Sequence, residues 1–178
     1  MTCELLRTRL NEITGNGKPE THPCLIDKLS CEIPHSIKVL TKPESDLNFN
    51  CVMYAFGIED IPQRIQLPKN DSDYFYADTH FVQNLINKKY MIEEQQADDS
   101  CVIVYSNNYK IRHIGRLISE SRVISKWGLG HLYEHNFFES PSDYGDKIRF
   151  FRPPSRERTI KLFRSYACYN GYRFFKND

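Results

Sequence analysis

A chain of 178 residues, 40% hydrophobic and 13% aromatic, carries enough apolar material for one domain with a sizeable core and is short for two. That composition reads as folded and globular rather than disordered. The formal charge of +1 supplies no global field for nucleic acid, and no apolar run approaches membrane-spanning length.

The start, Met1-Thr2-Cys3-Glu4-Leu5-Leu6, is too polar for a secretory signal. The expected location is the cytoplasm, with export left to an apparatus that needs no N-terminal signal. The six cysteines (3, 24, 31, 51, 101 and 168) are dispersed without a CxxC pair, so they read as reduced thiols. Asn70-Asp71-Ser72 matches a glycosylation sequon, but nothing else points to that route.

In chain order, Leu5, Leu6, Leu10 and Ile13 are spaced as one face of a helix over 4–13. Gly15-Asn16-Gly17-Lys18-Pro19 ends it. Residues 20–47 contain Pro23, Pro34 and Pro43 and short pieces such as Ile37-Lys38-Val39-Leu40, which reads as an extended approach. The stretch Asn48-Phe49-Asn50-Cys51-Val52-Met53-Tyr54-Ala55-Phe56-Gly57 then compresses a cap, a cysteine, an apolar turn and a stop into ten residues. Asn48 or Asn50 suits the cap, and Gly57 suits the left-handed end. Residues 58–73 form a polar connection containing Pro62 and Pro68.

A helix is predicted from Asp78 or Thr79 to Lys89, with Phe81, Val82, Leu85 and Ile86 on one face. Cys101 to Tyr105 reads as a buried strand, Ser106-Asn107-Asn108 as a turn. Ile111 to Ile118 and Arg122 to Trp127 are two further strands joined at Ser119-Glu120-Ser121. Gly128-Leu129-Gly130 closes this meander, and a loop with His131, Glu134 and His135 follows. Lys147 to Arg152 is a last strand. Ser155 caps a C-terminal helix with Ile160, Phe163 and Ala167 inside. Helices first, then a meander, then a strand and a helix make an α+β order.

From Lys147 onward there are nine Lys or Arg against two Asp or Glu, a net of +7 that leaves −6 for the rest. The aromatic-basic tail, with Arg164, Tyr166, Tyr169, Tyr172, Arg173, Phe174 and Phe175, reads as packing and solvated surface rather than a nucleic-acid platform. His131, His135, Cys101 and His113 lack the paired spacing of a zinc site, so no metal or cofactor is expected.

The chemistry-bearing pair is Cys51 and His113. In the first helical turn, N–H groups and the dipole favour a thiolate, and an imidazole within reach completes a nucleophile and its base. With the turn centred on Glu120, His113 faces Trp127 and Gly115 faces Ser125, all on one sheet face. Ser125 becomes the candidate orienter of His113, with Glu134 or His135 as substitutes. Gly115 leaves a gap into which the Cys51 helix would fit, and the Cys51 N–H is positioned for a developing oxyanion. On these grounds Cys51 is expected to be the most reactive of the six thiols and to depend on His113.

Asn50-Cys51-Val52-Met53-Tyr54-Ala55-Phe56-Gly57 resembles the nucleophile helix "NCxxYAxG" of papain-like peptidases and amidases of the NlpC and CHAP kind. Asp99-Ser100-Cys101-Val102-Ile103-Val104-Tyr105 is similar to their first strand "GDxVVF", with Asp-Ser in place of Gly-Asp. Arg112-His113-Ile114-Gly115-Arg116 is similar to their second, "xHVGI". Ser125-Lys126-Trp127-Gly128, Glu134-His135 and Tyr144-Gly145 through Arg152 resemble a little-characterised bacterial branch.

The resemblance implies one papain-like domain over 1–178. Its core, about 48–152, would be a nucleophile helix packed on a small antiparallel meander with flanking helices. It implies a cysteine hydrolase acting on an amide or acyl bond in a peptide, peptidoglycan or protein substrate. Cys51 would be the nucleophile, His113 the base and Ser125 its partner. A catalytically inactive member used as a binding or effector module is the alternative, favoured by the missing usual third residue.

Overall fold

The computed structural model describes residues 2–16, 18–41, 49–60, 64–66, 72–74, 76–128 and 130–174. The sequence expectations at Asn48, Pro43, Pro62, Pro68, Leu129, Phe175 and the Asn70-Asp71 half of the sequon lie outside them.

The elements are α1 (Thr2–Asn16), α2 (His22–Ser30), β1 (Lys38–Thr41), α3 (Cys51–Phe56), β2 (Arg64–Gln66), β3 (Ser72–Tyr74), α4 (Thr79–Asn87), β4 (Ile92–Glu94), β5 (Val102–Asn107), β6 (Lys110–Leu117), β7 (Arg122–Lys126), β8 (Leu132–Asn136), β9 (Lys147–Arg152), α5 (Arg156–Tyr169) and β10 (Arg173–Phe174). Seven strands pair in the order β1-β8-β7-β6-β5-β9-β4, every pair antiparallel. A second, three-stranded sheet runs β10-β2-β3. The architecture is mixed α+β. Among the described residues no helix is long and apolar enough to cross a membrane.

The meander β5-β6-β7 follows the register read from its turn: Arg116 pairs with Ile124 and Leu117 with Val123. Alternation then sorts its side chains onto two faces. Val102, Val104 and Ile114 join Val52, Met53 and Phe56 of α3, Phe81, Val82 and Leu85 of α4, and Phe163 of α5 in one core. On the other face Trp127 and Tyr133 pack with Leu6 and Leu10 of α1 and Ile26 and Leu29 of α2. Ile103, Tyr105, Leu117 and Val123, with Cys101, form a third cluster.

Several elements depart from the sequence expectations, among them β2 and the start of β3, which lie in the expected polar connection over 58–73. Residues 22–30, expected extended, form α2, because Pro23 sits in the first turn, where the missing N–H costs no hydrogen bond. The expected loop at 131–136 contains β8, whose buried positions alternate at Tyr133 and His135. Strand β4 was not anticipated. Its two glutamates meet arginines of β9 at the sheet edge, Glu93 with Arg149 at 2.6 Å and Glu94 with Arg152 at 3.0 Å.

Candidate functional site

Helix α3 is short and held at both ends. Asn50 is extended, and its Oδ1 accepts from the N–H of Val52 and of Met53, each at 3.0 Å. Its Nδ2 donates to the Ala77 carbonyl at 2.8 Å, tying the cap to the entrance of α4. Gly57 ends the helix at φ 67, and Ile58 N–H returns to the Met53 carbonyl at 3.0 Å. Arg116 of β6 lies over the Tyr54 ring, 4.6 Å from its centroid, and donates to the Ala55 carbonyl. The helix is thereby fastened to the strand that carries His113.

Cys51 is the first residue of α3. The residue is partly exposed, and its thiol is packed among protein atoms. Burial pushes the thiol up to about 11, against the N–H groups of Ile114, Val52 and Cys51 itself, which favour the anion. Burial thus opposes the helix-start effect on which the expected reactivity of Cys51 rests. A helix of six residues with a desolvated first turn cannot offset burial. The Ile114 contact has a topological origin. The β6–β7 ladder ends at Arg116 and Ile124, so the N–H of Ile114 is released to face the sulfur.

His113 lies inside β6, opposite Tyr105 of β5. A register shift falls immediately before it, where Tyr105 pairs with His113 but Ser106 pairs with Ile111. Such a bulge re-aims the following side chain. The His113 ring is 2% exposed. It stacks on the Tyr144 ring, with centroids 3.9 Å apart and planes 14° from parallel. Its Nε2 has no hydrogen-bond partner among the described residues. Burial, and then the neighbouring His135, hold its pKa well below the ordinary value, so the imidazole is neutral at pH 7.

Ser125 and Trp127 lie on the same side of the sheet as His113, but the Ser125 hydroxyl is committed elsewhere. It bonds His135 Nε2 at 2.8 Å and accepts from Trp127 Nε1 at 3.0 Å. His135 Nδ1 is 2.8 Å from the Asn136 carbonyl, so Nδ1 carries the proton and Nε2 accepts from Ser125. The role expected of Ser125, orienting His113, thus has no hydrogen bond behind it. Glu134 is also taken, by Arg122 at 2.7 Å and Lys38 at 3.7 Å. The gap at Gly115 is filled by Val123 and Ser125 of β7 rather than by α3. His131, the remaining histidine of the imagined zinc set, has Nε2 3.0 Å from the Pro19 carbonyl.

Tyr144 is the site residue that sequence reasoning quoted without giving a role. It is half-buried at the end of a 3-10 turn, Ser142–Tyr144, and its pKa stands well above the ordinary value. Burial is the main cause, and the nearby Cys51 sulfur adds to it. The N–H of Gly128 faces the Tyr144 hydroxyl. The ring that stacks on the imidazole therefore carries a hydroxyl within electrostatic reach of the thiol. The only local signal was an aromatic residue before a glycine that takes φ 112.

A family model described as a domain of unknown function, DUF7689, matches residues 40–152. Comparison with curated proteins and with solved structures finds no match. The match covers most of the chain, and the chain belongs to the DUF7689 family.

Proposed function

We propose that this family member is a papain-like cysteine hydrolase that cleaves or transfers an amide or acyl bond through Cys51 and His113. The observation that carries the reading is the seating of the thiol. Cys51 opens an Asn-capped helix, and its sulfur faces the backbone N–H of the residue immediately after His113. Among the described residues no hydrogen bond joins the Cys51 thiol to His113 Nε2, so the reading requires the two groups to close on each other when substrate binds.

In this scheme the sulfur attacks the acyl carbon as its proton passes to His113 Nε2. The carbonyl electron pair moves to oxygen, where the Cys51 N–H can meet it. His113 returns the proton to the leaving group as that bond breaks, leaving a thioester. Water then attacks the thioester with His113 taking its proton, and the thiol is regenerated. Proton transfer is coupled to attack, since each group by itself is neutral in the resting protein. A peptide, a peptidoglycan stem or a protein side chain all present such a bond.

A catalytically inactive binding module is the second reading. The commitment of Ser125 to His135 and Trp127 favours it, as does the desolvated thiol. p-Nitrophenyl acetate, an activated acyl donor, separates the two at pH 7 with peptide mass mapping. The hydrolase reading expects an acetylated Cys51, slowed about tenfold or more by His113→Ala, a modest share of what a general base contributes. Acetyl groups confined to the exposed Cys3, Cys24, Cys31 and Cys168, with no effect of His113→Ala on Cys51, would establish the module instead.

A further inference from the structure

We propose that Tyr144 is the positioning residue for His113, a stacked ring taking the place of a hydrogen-bonded third residue, and that Arg7 of α1 holds it there. This deepens the hydrolase reading and rests on it. The imidazole has two ways of being held, by a polar partner on a ring nitrogen or by its face. Its Nε2 has no such partner among the described residues, and the Tyr144 ring supplies the second, 3.9 Å away and nearly parallel. Trp127 closes the far side of Tyr144 edge-on at 6.3 Å, itself fixed through Ser125 to His135.

Tyr144 is in turn placed by its backbone. Gly145, at φ 112, lies against the backbone of Ser106, and a Cβ there would overlap it. The turn therefore docks on the same bulge that aims His113. From the other side Arg7 donates to the carbonyls of Ser140 and Gly145, and Asn11 Oδ1 accepts from the Asp143 N–H at 3.4 Å. Both helix residues lie outside the span matched by the family.

The test uses the full chain and two readouts. One is the ring-current shift of the His113 ring protons in spectra of histidine-labelled protein, assigned with His113→Gln. The other is Cys51 acetylation by p-nitrophenyl acetate at pH 7, measured with and without His113→Ala. In Y144F the upfield shift and the rate, within about twofold, should persist, because the ring remains. In Y144L the shift should vanish and the rate should fall about tenfold to the His113→Ala level, with no further loss in the double variant. Arg7→Ala, which keeps the ring but releases its loop, should reduce both readouts.

Y144L or Arg7→Ala protein that acetylates Cys51 at the wild-type rate, while His113→Ala still slows it, overturns this proposal and leaves the hydrolase reading standing. His113→Ala without effect in the wild-type background removes the hydrolase reading, and this proposal with it. If Y144L does not fold, Arg7→Ala decides, since among the described residues its side chain bonds loop carbonyls, lies over the Phe138 ring and makes no hydrogen bond to His113 or Cys51.

Discussion

Cys51 and His113 each prefer to be neutral where they sit, and burial is the cause in both cases. In the proposed reaction the pair exchanges a proton during attack rather than resting as an ion pair. Ser125 belongs to a different unit, the buried chain Trp127–Ser125–His135. Replacing Ser125 by Ala strands His135 Nε2 and Trp127 Nε1 without a partner, and should cost about 2 kcal/mol in urea unfolding. The same variant should retain the His113-dependence of Cys51 acetylation, and losing it would restore Ser125 as orienter. His135 also makes stability depend on pH. Burial lowers its pKa from 6.5 to about 4 in the folded chain. The unfolded chain thus binds the proton first, and stability falls as pH drops from about 6.5 to 4, by about 3 kcal/mol. His113, shifted the same way, adds to the loss. Urea titrations at several pH values should show this slope flattened in His135→Gln.

At the level of elements, α3 is too short to stand alone and exists because its ends are bonded. Asn50→Ala removes the cap and the tie to Ala77, and should cost about 1–2 kcal/mol by urea unfolding. This helix was legible in the sequence because its cap, apolar turn and glycine are local signals. The β5-β6-β7 meander was legible for the same reason, since alternation and turn residues sit in the strands themselves. Helix α2 was hidden by Pro23, whose effect depends on whether it falls in the first turn or the interior. Strand β8 was hidden because Glu134 and His135 look like loop residues until Arg122 and Ser125 arrive to satisfy them. Strand β4 is held by Arg149 and Arg152, more than fifty positions away. Tyr144 needed a bulge, a turn and α1 to meet, and no stretch of sequence carries that meeting. Gly145→Ala should expose it: a Cβ against Ser106 must push the turn away, weakening the His113 ring-current shift as well as stability.

Across the whole molecule, three hydrophobic clusters pack around the seven-stranded sheet, and the candidate site lies where β6 and β7 stop pairing. The Cys51 helix reaches this gap from the core of α3, α4 and α5. The His113 ring and Tyr144 lie on the side covered by α1 and α2. The central claim, that thiol and imidazole act together across this gap, is tested most directly by the pH dependence of Cys51 acetylation in wild type and His113→Ala. A neutral imidazole acting as base makes the wild-type rate nearly flat above about pH 6.5, because His113 is already deprotonated there. Without it, the rate should climb steadily with pH toward a thiol ionising at about 11. Two superimposable profiles, both climbing, would contradict the account.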